Sequence, residues 1–293
     1  MKKQDQIHRR ILLGAHFSIA DGLYKAILTA SEYGCTVLQI FTKNAGTWEE
    51  RRLSAHDIEL FDAARRQSRI ELICSHTSYL INLASPERNK YYSSIRALEH
   101  ELTRSSQLSI QYVIMHPGSH MGMGAEGGMC RIAEGINTVF SNVSDASCKL
   151  LLETTAGQGS NLGYTFEQLA EISNMIEDRE RIGYCFDTCH VFAAGYDLRT
   201  KTAYHKTMEA FDRIIGLEHL CVMHLNDSKK GLGSKIDRHE HIGEGAIGID
   251  AFRFIMNDRQ LRAIPKIIET PKRGVVDYDR INLDRLRSLI EFS

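Results

Sequence analysis

Short, almost continuous apolar runs alternate with longer amphipathic stretches along the whole chain. The runs are ILLGAH (11–16), TVLQIFT (36–42), ELICSH (71–76), QYVIMHP (111–117), KLLLET (149–154), RIGYCFDT (181–188), LCVMHLND (220–227) and PKIIET (265–270). Apolar residues at consecutive positions over so few residues predict parallel strands covered on both faces. The stretches between them predict helices. LYKAILTASEYG ends in a glycine suited to a C-cap, and TFEQLAEISNMIED opens with a possible capping box from Thr165 to Gln168. TMEAFDRIIGLEH carries Gly216 as a stop.

Eight strand runs alternating with helices predict a single (β/α)8 TIM barrel over residues 11–293, with 1–10 as an N-terminal extension. Its active site is expected at the C-terminal rim of the strands. A doubly wound sheet is the alternative topology. No linker, low-complexity tract or charge block divides the chain.

Composition narrows this further. At 293 residues and 43% hydrophobic content the chain can fill one large barrel. The start, MKKQDQIHRR, is charged, and no apolar run approaches the roughly 20 residues of a membrane span. The expectation is a soluble, cytoplasmic protein with no signal peptide or anchor, and a monomer, because a single barrel buries its own core. Seven cysteines scattered through apolar stretches read as small core residues rather than disulfides. A formal charge of −1 gives no electrostatic footprint of a nucleic-acid binder, unless the site itself holds cations.

The chemistry lies where the runs close: His16, His76, His116, Glu153, Asp187, His224 and Glu269. Only the second run, ending in FTKN, lacks a ligand-type residue. In a barrel these ends meet at one rim, and burying Glu153, Asp187 and Glu269 together calls for cations. Asp237 and His239, two apart in IDRHEHIGEG, would point to one side of an extended segment, and His190 follows Asp187 by three residues. Imidazole and carboxylate without thiolate suit zinc, and next manganese or iron, in a catalytic setting. There are more ligands than one ion can use, which implies a polynuclear centre. Cys185 and Cys189 read as buried neighbours, and His56, His100 and His205 as solvated helix residues.

The stretches GAHFS, FTKN, SYLINLASP, HPGSH, TAGQGSNLG, FDTCHVFAAGYDLRT, HLNDSK, DRHEHIGEG and ETPK span about Gly14 to Lys272 in order. In these the chain resembles the endonuclease IV family of apurinic/apyrimidinic endonucleases. The resemblance implies three Zn²⁺ per chain, with Mn²⁺ possible at one or more sites. His76 and His116 would hold the first ion, and Glu153 would bridge it to a second held by Asp187, His224 and Glu269. His190, Asp237 and His239 would hold the third. Glu153 and Glu269 would be the catalytic carboxylates.

The implied reaction is hydrolysis 5′ to an abasic site in double-stranded DNA, leaving a 3′-hydroxyl and a 5′-deoxyribose phosphate, with 3′-phosphodiesterase activity besides. The place implied is the cytoplasm, on the nucleoid if the source is bacterial. Tyr79 would fill the gap in the duplex, with Leu80 and Trp48 as further candidates, and Lys43, Lys229 and Lys272 would contact DNA phosphates. Arg51, Arg52, Arg199, Lys201, Lys230, Lys235 and Arg273 could add to them.

Two positions depart from the family. Gly46, in AGTW, stands where a long polar or basic wedge is common, and Thr154 follows Glu153 where asparagine is common. The competing readings are a metal-dependent sugar isomerase or epimerase on a related barrel, and a protein that binds abasic DNA without cutting it.

Overall fold

The computed structural model describes residues 11–49, 52–272 and 275–291, so the N-terminal extension 1–10 lies outside the described residues. Every one of the eight apolar runs forms a strand: β1 (Leu13–His16), β2 (Val37–Ile40), β3 (Leu72–His76), β4 (Tyr112–Met115), β5 (Lys149–Glu153), β6 (Ile182–Asp187), β7 (Leu220–His224) and β8 (Lys266–Ile268). Each pairs in parallel with the next, and β8 pairs with β1 to close the barrel. Around it run α1 (Leu23–Glu32), α2 (Ala55–Gln67), α3 (Arg88–Gln107), α4 (Ala125–Asn142), α5 (Phe166–Asn174), α6 (Thr188–Ala194), α7 (Lys201–Ile214), α8 (Ile249–Asn257) and α9 (Tyr278–Ser288). Among the described residues no helix is long and apolar enough to cross a membrane.

Two of the predicted helix signals hold in full. Gly34 and Gly216 follow α1 and α7 with φ of 66° and 95°, a region open to glycine. At α5 only half of the capping box forms. The Thr165 hydroxyl accepts from the Gln168 N–H, but the Gln168 side chain accepts from the Gly163 N–H at 2.8 Å instead of reaching back to Thr165.

The interior of the barrel explains how the site is placed. Val37, Cys74, Ile114, Leu151, Cys185, Val222 and Ile267, one from each of β2 to β8, form a fully buried cluster. Side chains alternate along a strand, so the residue two positions further on points the same way. Those residues are Gln39, His76, His116, Glu153, Asp187, His224 and Glu269. On β1 the pair is Gly14 and His16, and a Cβ on Gly14 would lie 1.8 Å from the Val37 carbonyl oxygen, so only glycine lets these strands approach. Below Asp187 the β6–β7 register shifts between Tyr184 and Cys185, a bulge that re-aims the strand end.

Candidate metal centre

Glu153 sits fully buried at the end of β5, at the centre of the rim. Its Oε2 lies 3.0 Å from His76 Nε2 and 3.0 Å from His116 Nε2. Its Oε1 lies 2.9 Å from His224 Nδ1 and 3.3 Å from His190 Nδ1. One carboxylate therefore faces two sets of nitrogens with its two oxygens. On the far side of His224, Glu269 Oε2 is 3.3 Å and Asp187 Oδ2 3.8 Å from the same Nδ1.

A third set is carried in from the loop after β7. The two-residue strands Asp227–Ser228 and His239–Glu240 pair antiparallel and fold that loop back over the rim. There His190 Nε2 is 3.2 Å from Asp237 Oδ2 and 3.4 Å from His239 Nε2, and His239 Nε2 is 3.4 Å from Asp237 Oδ1. Ligands about 2.0–2.1 Å from a tetrahedral zinc are separated by about 3.3–3.4 Å, and the spacings here, measured to the two different oxygens of Asp237, are of that order.

The histidines are held by their other nitrogen. His76 Nδ1 bonds the Thr77 carbonyl (2.9 Å), His190 Nδ1 the Thr154 carbonyl (2.9 Å) and His239 Nδ1 the Glu269 carbonyl (3.1 Å). Each donates there and leaves Nε2 with a lone pair for a metal, the usual way proteins fix ligand tautomers. His224 is reversed, with Nε2 on Gln39 Oε1 at 2.7 Å and Nδ1 facing the carboxylates.

Charge in the metal-free site is balanced by protons. Burial disfavours the charged form of Glu153, yet His116 and His224 beside it hold its carboxyl well below the ordinary range. Burial likewise opposes charge on His224, but Glu269 and Glu153 push its pKa up to about 9. His190 is likewise raised well above its ordinary value, against burial, by Asp187 and Asp237. Cations would replace those protons.

The two cysteines of GYCFDTCHVF lie within reach of the same candidate ligands. Cys185 Sγ lies within 4.8 Å of ligand atoms of Glu153 and His224, and Cys189 Sγ within that range of Asp237 and His239. Burial first, then the neighbouring carboxylates, keep both thiols protonated, that of Cys189 with its pKa pushed up to about 12. His56, His100 and His205 are exposed, as expected for solvated helix residues.

Three residues escaped the sequence reading. Gln39 is one. Asn226 donates to Asp187 Oδ2 (2.6 Å) and accepts from the Glu269 N–H (2.8 Å), tying β6 to β8. Asp227, fully buried, accepts backbone N–H bonds from Ser228, Gly243, Ile247 and Gly248, which anchors the chain just beyond the hairpin that carries His239.

A cavity of about 280 Å³ opens above the site, lined among others by His16, Phe41, Tyr79, Thr270 and Lys272. Tyr79 stands at its edge, 75% exposed, with its ring 5.5 Å from that of Phe41. Lys272 pairs with Asp279 at 2.7 Å and donates to the His16 carbonyl. Lys229 is exposed beside the hairpin. Lys43 is buried in the floor of a separate 570 Å³ cleft, where its Nζ donates to the Thr47 carbonyl. Gly46 is exposed, and its N–H donates to Asn44 Oδ1 (2.9 Å). A Cβ there would meet only that oxygen, at 3.4 Å, so the backbone does not require glycine. Arg51 and Arg273 lie outside the described residues.

Fold and site define a (β/α)8 barrel with a candidate metal centre whose side chains come from the carboxyl ends of its strands and, for Asp237 and His239, from the loop after β7. Residues 27–292 match the family model described as a xylose isomerase-like TIM barrel. The chain is 46% identical over 280 residues to the probable endonuclease 4 of Citrifermentans bemidjiense, covering 96% of this chain and 99% of that protein. It is 48% identical over 279 residues to the probable endonuclease 4 of Geotalea daltonii, covering 95% and 98%. The crystal structure of endonuclease IV from Thermus thermophilus superposes with a TM-score of 0.84 at 36% identity, covering 94% of this chain and 98% of that one. The chain belongs to the endonuclease IV family and is a nuclease. A D-tagatose 3-epimerase-like protein, at 18% identity and a TM-score of 0.70, shares the fold.

Proposed function

We propose that this chain hydrolyses the phosphodiester 5′ to an abasic site in double-stranded DNA, using three divalent ions, zinc foremost with manganese possible. The observation that carries the reading is Glu153, whose two oxygens face His76 and His116 on one side and His224 on the other. With Asp187 and Glu269 completing the second position and His190, Asp237 and His239 the third, every ion has protein ligands of a suitable kind.

Bound divalent ions lower the pKa of water toward neutrality and neutralise charge on the phosphate and the leaving oxygen. The chain's own part is to hold the phosphate over them. The cavity holds only about 280 Å³, and an abasic sugar turned out of the duplex carries no base to exclude. Tyr79, exposed at its edge, is the side chain placed to fill the space left in the stack, because Gly46 has nothing to insert. Lys272 and Lys229 are candidates for phosphate contacts, and Lys43, buried in a separate cleft, would have to turn outward to join them. Binding should weaken as salt rises.

The product would carry a 3′-hydroxyl and a 5′-deoxyribose phosphate, and the same site would trim blocked 3′ ends. A sugar epimerase on this fold has no use for the set His190, Asp237 and His239, and that set favours the nuclease. The test is to incubate the zinc-loaded protein with a duplex holding one tetrahydrofuran abasic analogue. Incision 5′ to the lesion supports the reading, and an intact duplex sinks it. A second duplex with a 3′-phosphoglycolate end reports trimming in the same assay.

A further inference from the structure

β2 is the strand whose run ends without a ligand-type residue, yet its inward position at the rim is filled. Gln39 is fully buried there, and its amide is completely used. The Oε1 accepts from His224 Nε2 at 2.7 Å, while Nε2 donates to Glu269 Oε1 at 2.5 Å and to His16 Nδ1 at 3.0 Å. The orientation of the amide is fixed by charge. Turned over, its oxygen would press against the Glu269 carboxylate and its NH₂ against a ring nitrogen that must then accept.

Three consequences follow from that orientation. In the neutral ring that would bind a metal, His224 carries its proton on Nε2, which leaves the Nδ1 lone pair for an ion held among Glu153, Asp187 and Glu269. His76, His190 and His239 instead donate from Nδ1 to backbone carbonyls. Glu269 keeps its Oε2 toward His224 because its Oε1 is taken. His16, placed as an acceptor at Nδ1, carries its own proton on Nε2.

We propose that Gln39 is a positioning residue for the second metal position: it reverses the His224 ring relative to the other ligand histidines and fixes Glu269 on the same ion. The inference rests on the metal-bound reading of the site, but it makes no reference to DNA. Among the described residues, no backbone carbonyl bonds the His224 ring in the way Thr77, Thr154 and Glu269 serve His76, His190 and His239. The reversal therefore depends on a side chain, and a substitution can remove it.

The test uses Gln39→Leu and Gln39→Glu in the full chain, each checked for wild-type circular dichroism. The first removes the acceptor and both donors. The second keeps an acceptor for His224 Nε2–H but cannot donate to Glu269 or His16. In zinc-loaded protein labelled with ¹⁵N-histidine, long-range proton–nitrogen spectra report which His224 nitrogen is protonated. Wild type and Gln39→Glu should show Nε2–H, and Gln39→Leu should lose that signature. At a free zinc level that just fills the wild type, Gln39→Leu should bind one ion fewer, with a 10- to 100-fold weaker affinity, the loss typical of an outer hydrogen-bond partner. Gln39→Leu retaining both the Nε2–H signature and full zinc content would overturn the proposal. So would a wild type with His224 protonated on Nδ1. A wild type with the expected signature that fails to incise the abasic duplex would instead count against the nuclease reading alone.

Discussion

Glu153 Oε1 lies 2.9 Å from His224 Nδ1, while the other oxygen of the same carboxylate lies 3.0 Å from the nitrogens of His76 and His116. Among the described residues this buried carboxylate alone touches both sets, and no neighbouring side chain can replace it. Glu153→Gln keeps the shape but supplies one neutral oxygen in place of two charged ones. Losing an outer partner of a metal ligand costs 10- to 100-fold, so losing the bridge itself should cost more than about 100-fold in incision and at least one bound ion. The readouts are single-turnover incision and metal content by mass spectrometry. Retention of both within a few-fold would remove Glu153 from its role.

How far the sequence alone reaches can be read from β2. All eight strands are legible, because residues buried on both faces leave continuous apolar runs. The convergence of candidate ligands at the rim is legible because seven runs close on an imidazole or a carboxylate. Gln39 is hidden because its run closes three residues later, at Thr42, and attention to run ends leads to FTKN. The informative signal is the step of two from Val37, the same step that leads from Cys74 to His76 and from Val222 to His224. Asp227 is hidden for another reason: its partners are backbone N–H groups of IGEGAIG, and a backbone donor leaves no trace in residue type. Whether a rim lysine reaches outward or turns in also depends on packing, and Lys43 turns in.

Metal loading should release protons, with a pH dependence set by the histidines. In the metal-free protein Glu269 and Glu153 outweigh burial and raise His224 to about 9, and His190 is raised as well. Both are charged at pH 7 and must become neutral to bind. Zinc binding followed by calorimetry in buffers of different ionisation enthalpy should therefore show net proton release near pH 7. Release falls as pH rises through about 9, where the His224 proton is already lost, and apparent affinity climbs toward that pH. The same shift means that His224 stabilises the metal-free fold fully below its unfolded value near 6.5, a contribution lost as pH rises through about 9. A heat that does not depend on the buffer at pH 7 would contradict this.

Asp227 should matter for the third position more than for the first. Asp227→Ala strands the N–H groups of Ser228, Gly243, Ile247 and Gly248, with bonds of 2.7 to 3.3 Å lost. Each buried donor left without a partner costs about 1–3 kcal/mol, less wherever water enters. A total near 3 kcal/mol corresponds to a fall in Tm of roughly 6–12 °C for a chain of this size. Because the loop that carries Asp237 and His239 is tethered at this point, one ion should be lost selectively while His76, His116 and Glu153 keep theirs. The checks are thermal denaturation and metal stoichiometry. Loss of every ion at once, or of none, would count against the tether.

A buried carboxyl outside the metal centre, below the end of β2, sets a second pH dependence. Glu101 on α3 is buried, and the Thr42 hydroxyl donates to its carboxylate at 3.0 Å while the Arg104 guanidinium donates to the Thr42 carbonyl and hydroxyl. Burial wins over these bonds and raises the carboxyl to about 7. A folded value above the unfolded one means that Glu101 supports the fold fully below about pH 4.5, and that this support is lost as pH rises through about 7. Once ionised, the group costs on the order of 3 kcal/mol, the equivalent of a shift from 4.5 to about 7. Glu101→Gln keeps the size and an acceptor for Thr42 but cannot ionise. The variant should match the wild type in urea denaturation near pH 4, exceed it increasingly between about pH 4.5 and 7, and keep a level advantage above about pH 8. A difference that does not change between about pH 4.5 and 7 would show that Glu101 is charged in the folded protein throughout.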